Sequence, residues 1–196
     1  MTSVVGIAGS PRRNGNSEIL LDRFLAGARA ADGEVTKLVA VELDVEACVG
    51  CENCWEDGRC VTDDEYDVLC NALIAADVIA IASPLYFWNV PAQLKVLIDR
   101  AQCMWARKFK LKEPLPPSTA GHDRRRGVFI CVGGSEQVHF DGAARTVRSF
   151  FGVYETDYWD AILVSDVDAK GEIDDEPLAY QQAYDLGFRA VAEAWA

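Results

Sequence analysis

Short apolar runs alternate with amphipathic stretches along this chain, and this alternation constrains the possible fold more than any other feature. The clearest runs cover residues 4–8, 78–82 and 127–132, and each is followed at once by a loop containing Gly, Ser or Pro. Residues 17–30 show the apolar spacing of a helix that buries one face. Strands that alternate with helices form a parallel sheet covered by helices. The sequence therefore predicts an α/β fold.

Weaker segments continue the same pattern and complete a doubly wound domain of about five strands over residues 1–196. No internal repeat or interdomain linker interrupts it. The further predicted strands cover 34–38 and 161–164, and the further predicted helices cover 63–76, 91–98, 142–151 and a C-terminal segment from about 176. Residues 108–126, rich in Lys, Pro and Arg, are predicted to form a loop, in which Arg124, Arg125 and Arg126 are solvated.

Composition limits the classes of partner and the compartment. The formal net charge of −12 argues against general nucleic-acid binding. No basic leader and no apolar window of membrane-spanning length are found, so we expect no membrane insertion. Seven cysteines without an export signal predict a reducing, cytoplasmic environment.

Four of the cysteines crowd into the short segment 48–60, with the spacing C-x2-C-x2-C-x5-C. Thiols this close cannot all face an apolar interior, but they can converge on a metal. Successive x2 gaps favour an iron–sulfur cluster, whereas structural zinc sites usually separate two pairs of ligands by a longer stretch. The alternatives are zinc and a loop of thiols without a metal, which would be the remnant of a lost cluster or a labile disulfide. The ligands in question are Cys48, Cys51, Cys54 and Cys60.

Three loops at predicted strand ends carry groups suited to binding a ligand. Residues 10–17 (Ser-Pro-Arg-Arg-Asn-Gly-Asn-Ser) could cradle a monophosphate at a helix N-terminus, or could simply cap that helix. Residues 83–91 contain three adjacent aromatic side chains, which suit stacking on a flat ligand or a dimer interface. Residues 133–136 begin with Gly-Gly, a turn whose N–H groups could bond to a heterocycle.

Together these segments resemble the flavodoxin-like NAD(P)H-dependent FMN reductase family, and most closely its iron–sulfur flavoprotein branch. The resemblance covers about residues 3–135. It rests on segment 9–17, on the cysteine segment followed by Asp63-Asp64, and on segment 83–87 leading to Lys95-x3-Asp99-Arg100. It implies a flavodoxin-like three-layer sandwich, with a five-stranded parallel sheet in the order 2-1-3-4-5 and helices on both faces.

The resemblance also implies roles for individual residues. The FMN phosphate would be held by Ser10, Arg12, Asn16 and Ser17, with Arg13 as an equally basic neighbour of Arg12. The ribityl chain and the isoalloxazine ring would be lined by Pro84, Leu85, Tyr86, Phe87 and Trp88. The pyrimidine edge of the flavin would be completed by Gly133, Gly134 and Ser135. A [4Fe–4S] cluster would be ligated by the four cysteines.

The function implied is an FMN-dependent oxidoreductase with no catalytic side chain, because hydride transfer is the chemistry of the cofactor. Electrons would pass from NAD(P)H, or from a ferredoxin-type donor, through FMN to a flavin, a quinone or a similar small-molecule acceptor. The resemblance further implies a homodimer or homotetramer. The alternatives are a non-catalytic electron carrier that docks to a redox protein, and a binding or regulatory protein with a zinc loop.

Overall fold

Five parallel strands form one sheet in the order β2-β1-β3-β4-β5 in the computed structural model, which describes residues 1–195. The predicted strand order and the flavodoxin-like fold are confirmed. The strands are β1 (Ser3–Ala8), β2 (Glu34–Val39), β3 (Val78–Pro84), β4 (Arg125–Val132) and β5 (Thr156–Val164). The helices are α1 (Asn16–Ala30), α2 (Cys54–Asp57), α3 (Tyr66–Ala75), α4 (Ala92–Arg100), α5 (Gln102–Trp105), α6 (Asp141–Val153) and α7 (Pro177–Ala192).

The helices divide between the two faces of the sheet, and the alternation of side chains along each strand fills both cores. In β3, Ile79 and Ile81 belong to the core under α3, α4 and α6. The neighbours Val78 and Ala80 point the other way, into the core under α1 and α7. Both faces of β3 are therefore apolar, as expected of a central strand in a parallel sheet. None of the helices within residues 1–195 combines the length and the apolar character needed to cross a membrane.

Two of the three consecutive arginines are buried in β4, so the prediction of a solvated loop is wrong for them. Arg125 donates hydrogen bonds to the carbonyls of Ile74 (2.5 Å) and Pro116 (3.0 Å). Arg126 donates to carbonyls at and after the C-terminus of α7, at 2.6, 3.0 and 3.1 Å. Burial lowers the pKa of both guanidinium groups. Only Arg124 is exposed, so this run stabilises the fold.

The segment predicted as a loop from residue 108 begins with a helical turn and is otherwise irregular up to residue 124. A π-helical turn covers Ala106–Leu111 and ends at Lys112, whose φ of 57° lies in the left-handed region. This turn packs against the cysteine segment, since a Cβ atom added to Gly58 would lie 3.2 Å from Cβ of Arg107. Irregular helix of this kind often marks a functional site.

Helices α1 and α7 pack very closely, because each presents a glycine to the backbone of the other. A Cβ atom at Gly27 would overlap the Tyr184 carbonyl oxygen, and one at Gly187 would overlap the Phe24 carbonyl oxygen. We expect Gly27→Ala to lower the free energy of unfolding by about 1–3 kcal/mol through overpacking, as measured by urea denaturation.

Gly152, near the end of α6, is the matched control. A Cβ atom there would meet no atom within 4 Å. Gly152→Ala should raise the free energy of unfolding by about 0.5–1 kcal/mol, because alanine reduces the entropy lost when the helix forms. If Gly27→Ala stabilised the protein as Gly152→Ala is expected to, the close contact between α1 and α7 would be contradicted.

Candidate functional site

A cleft opens at the carboxyl ends of β1, β3 and β4, where the strand order reverses between β1 and β3. Ligands of doubly wound folds bind at such a position. All three predicted loops contribute to it, together with Val132 and the chain after β5. The predicted residues that line the cleft are Ser10, Arg12, Asn16, Ser17, Pro84, Leu85, Tyr86 and Gly134.

The loop after β1 forms an anion cradle. Its first residue, Gly9, donates a backbone hydrogen bond to Ala82 (2.7 Å), and a side chain at Gly9 would collide with Leu94. The hydroxyl of Ser10 then accepts a hydrogen bond from the backbone N–H of Arg12 (3.1 Å). Helix α1 begins after Gly15, which provides no side-chain cap. The first N–H groups of α1 are therefore available for an anion, which the helix dipole also attracts.

The two arginines of the cradle have different environments. Arg12 lines the cleft, and its only side-chain hydrogen bond within residues 1–195 is a long one (3.4 Å) to the Asp168 carbonyl. Arg13 is committed elsewhere, with ion pairs to Glu18 (3.0 Å) and to Glu42. Arg12 is therefore the arginine whose charge is available to an anion in the cleft.

Glu18 is a buried carboxylate that the sequence analysis missed. It accepts hydrogen bonds from Arg13 (3.0 Å), Lys37 (2.8 Å) and the backbone N–H of Asn14 (2.6 Å). Burial alone would raise its pKa, but these partners lower the pKa to about 2. Glu18 is thus ionised at neutral pH and keeps Arg13 away from the cleft. The sequence does contain a sign of this role. Glu18 stands three residues after the helix N-cap, a position whose side chain often accepts a hydrogen bond from the preceding backbone.

The side chain of Asn16 joins the cradle to the loop that follows β5. Its amide donates to the Ala169 carbonyl (2.9 Å) and accepts from the N–H groups of Gly171 (2.9 Å) and Ile173 (3.5 Å). Since these contacts occupy the amide, Asn16 would meet a phosphate through its backbone N–H. The loop after β5, which places Asp168 in the wall of the cleft, was not predicted from the sequence.

The aromatic loop ends in a tight turn held by two backbone hydrogen bonds between Tyr86 and Asn89, at 2.8 and 2.9 Å. Its central residues, Phe87 and Trp88, have φ values of 48° and 62°, a left-handed conformation that is unfavourable for bulky residues. Phe87 is fully exposed, and the Trp88 ring lies 5.5 Å from the His139 ring. Neither Phe87 nor Trp88 lines the cleft itself. Strain of this kind is concentrated at binding sites.

The glycine loop after β4 places one of its three predicted residues in the cleft. Gly133 is buried and bonded to Val164 (2.8 Å), and the Ser135 carbonyl accepts from Asp166 (3.1 Å). Gly134 lines the cleft, where a Cβ atom would lie only 2.6 Å from a carboxylate oxygen of Asp168. Gly134 is therefore required for the close approach of the two loops.

A second depression, the cysteine depression, lies between the cysteine segment and the end of α4. It has a volume of about 200 Å³, and Cys48, Cys51, Cys54 and Cys60 all line it. None of the four forms a disulfide, and burial, followed by neighbouring Cys103, raises the pKa of the Cys54 thiol. Thiolates are the donors that both iron–sulfur clusters and zinc require. Across residues 1–195 no group of three or more His, Cys, Asp or Glu side chains is already arranged to hold a metal ion.

The sheet order and the anion cradle after its first strand define the flavodoxin-like class. Residues 2–155 match the family of NADPH-dependent FMN reductases. The chain belongs to this family and is accordingly an FMN-dependent NAD(P)H oxidoreductase.

The curated relatives add detail. An iron–sulfur flavoprotein of Methanocaldococcus jannaschii is 29% identical over 97% of this chain and 95% of its own length. Another, of Archaeoglobus fulgidus, is 32% identical over 97% of this chain and 79% of its own length. Among solved structures, an FMN-dependent NADH-azoreductase of Bacillus anthracis in complex with FMN aligns with a TM-score of 0.67. The alignment covers 97% of this chain and all of the azoreductase chain. At 15% sequence identity this similarity shows a shared fold and no more.

Proposed function

We propose that this oxidoreductase binds FMN in the cleft and passes electrons from NAD(P)H through it to a flavin, a quinone or a similar small acceptor. The observation that carries the proposal is the uncommitted Arg12 beside the uncapped N-terminus of α1. A cation and free N–H groups in one cradle suit a phosphate monoester. The family match and the FMN-bound structure of similar fold support FMN as the phosphate monoester that binds in this cradle.

The residues of the cleft divide the work of binding. Arg12, Ser10, and the backbone at Asn16 and Ser17 would hold the phosphate, while Leu85 and Tyr86 would contact the ribityl chain and the ring. Gly134 would offer its N–H to the pyrimidine edge, and the aromatic turn would shield the ring from water. When bound, FMN supplies the hydride chemistry itself, so the protein needs to position and shield it rather than to provide an acid or base.

We further propose that the four cysteines ligate an iron–sulfur cluster of the [4Fe–4S] type. Their common depression supports this, as does the similarity of the chain to iron–sulfur flavoproteins. A cluster would allow a ferredoxin-type protein to replace NAD(P)H as the electron donor, since clusters exchange single electrons. The fully exposed Phe87 and half-exposed Trp88 support a homodimer or homotetramer, in which the aromatic turn would be covered.

The first test combines spectroscopy with turnover. Protein purified without oxygen should show flavin absorption, one FMN per chain, and iron matched by acid-labile sulfide. Addition of NAD(P)H and a quinone should give catalytic oxidation of the nicotinamide, with one quinone reduced by each nicotinamide oxidised.

Each failure has a distinct meaning. Bound FMN without turnover by any nicotinamide would contradict NAD(P)H as the donor, and absence of quinone reduction with a reduced ferredoxin as well would identify an electron carrier. Flavin without iron and sulfide would contradict the cluster alone. A colourless protein containing zinc would contradict both parts.

A further inference from the structure

Arg100, the last residue of α4, is a buried cation in the wall of the cysteine depression. Only 1% of its side chain is exposed. One of its terminal nitrogens, Nη2, lies 3.3 Å from the sulfur of Cys60. The guanidinium also pairs with Asp64 through two hydrogen bonds, at 2.5 and 3.1 Å, and donates to the Glu46 carbonyl at 2.9 Å.

These contacts leave the guanidinium incompletely satisfied. The Nε atom of Arg100 is buried and has no hydrogen-bond partner among the residues that the structure describes. A buried N–H without an acceptor costs free energy, so such groups are rare unless something else serves them. A guanidinium donates five N–H bonds and accepts none. The wall of the depression therefore carries a buried positive charge, which an anionic centre held by the four cysteines would complement.

The sulfur of Cys60 indicates where that negative charge would be. A neutral thiol is a weak acceptor, whereas a thiolate accepts strong, charge-assisted hydrogen bonds. A centre held by four thiolates has a net negative charge that becomes more negative on reduction. A buried cation and an N–H···S hydrogen bond stabilise the reduced form more than the oxidised form, and so raise the reduction potential.

We propose that Arg100 is a positioning residue that fixes the Cys60 thiolate and raises the reduction potential of the cysteine-held centre. This inference rests on the proposed iron–sulfur cluster. It adds a role for a residue outside the cysteine segment. Asp64 holds the guanidinium in its orientation. Because Asp64 lies four residues after Cys60, this ion pair connects the cysteine segment to the end of α4.

The competing explanation is that Arg100 and Asp64 form only a structural ion pair. Removing either partner would then destabilise the protein in the same way, because the other charge would remain buried and unpaired. The reduction potential separates the two explanations, because the two substitutions change the charge beside the cysteines in opposite directions. Arg100→Gln removes a positive charge beside Cys60, whereas Asp64→Asn removes a negative charge and leaves the donor to sulfur in place.

The experiment compares reconstituted wild-type protein, Arg100→Gln and Asp64→Asn in a redox titration followed by electron paramagnetic resonance. We expect Arg100→Gln to lower the potential by at least about 59 mV, which is a tenfold change in the ratio of reduced to oxidised centre for one electron. Asp64→Asn should leave the potential unchanged or raise it. Bound FMN, measured on the same samples, reports whether each variant is folded.

Arg100→Lys serves as a second variant in case Arg100→Gln does not fold. It keeps the charge but loses the fork that bonds to Cys60 and Asp64 together, so its potential should fall less than that of Arg100→Gln. Loss of iron and sulfide from the Arg100 variants alone, with FMN retained, would also support the proposal.

Two results would overturn it in distinguishable ways. A wild-type protein with FMN but no iron or sulfide removes the proposed cluster, and the role of Arg100 with it. If the wild-type protein holds a cluster, two outcomes remove only the role of Arg100. Either the potential and the iron content are unchanged in the Arg100 variants, or Asp64→Asn lowers them as much as the Arg100 variants do.

Discussion

Arg12→Ala is expected to weaken FMN binding by about 10- to 100-fold, because it removes a charge-assisted contact to the phosphate worth about 1.5–3 kcal/mol. Arg12 is the cation that lines the cleft, and its long bond to the Asp168 carbonyl (3.4 Å) does not commit its charge. The affinity is measured by adding FMN to cofactor-free protein and following the loss of flavin fluorescence.

Arg13→Ala is the matched control, because it removes the same kind of side chain one residue away. Arg13 bonds to Glu18, which is buried and ionised. Its removal should change the affinity for FMN by less than about threefold. It should instead lower the stability of the protein by about 1–3 kcal/mol, since a buried carboxylate loses a partner. A larger loss of FMN affinity in Arg13→Ala than in Arg12→Ala would contradict the assignment of the phosphate ligand.

The strands and the meeting of three loops were predictable because both follow from local pattern. Consecutive apolar residues of a strand, such as Ile79 and Ala80, pack on opposite faces of the sheet. The carboxyl ends of parallel strands lie at the same edge. The buried arginines were not predictable, because a run of three basic residues has no local sign of burial. The partners of Arg125 include the carbonyl of Ile74, which is distant in the sequence.

The candidate site shows the same division. Residues that follow a predicted strand, such as Ser10 and Gly134, could be placed in the cleft from the sequence. Asp168 could not, because its position depends on hydrogen bonds between Asn16 and a loop more than 150 residues away. Phe87 and Trp88 were expected to lie against the ligand, and in the structure they form an exposed, left-handed turn directly after Tyr86, the last aromatic-loop residue that lines the cleft. The sequence therefore indicates which polar and aromatic residues lie near strand ends, and the structure is needed to show which of their side chains line the cleft.

Cys51→Ser is expected to remove most of the iron and sulfide from the protein while leaving bound FMN within about twofold of the wild-type content. A serine hydroxyl is a poor substitute for a thiolate ligand, since clusters are held by deprotonated sulfur. Cys51 lines the cysteine depression and is exposed, so the substitution removes little packing. None of the residues that line this depression lines the cleft proposed for FMN. The measurement is iron, sulfide and FMN content after anaerobic reconstitution and desalting.

Cys131→Ala is the matched control for this loss, because it removes a thiol that the depression does not contain. Cys131 is fully buried in β4, and burial raises its pKa to about 12, so it is a packing residue rather than a ligand. Its substitution should cost about 1 kcal/mol of stability and leave iron, sulfide and FMN unchanged. If Cys51→Ser kept its full iron content, the cluster would have other ligands. If both variants lost iron equally, the loss would reflect general destabilisation and not ligation by the cysteine segment.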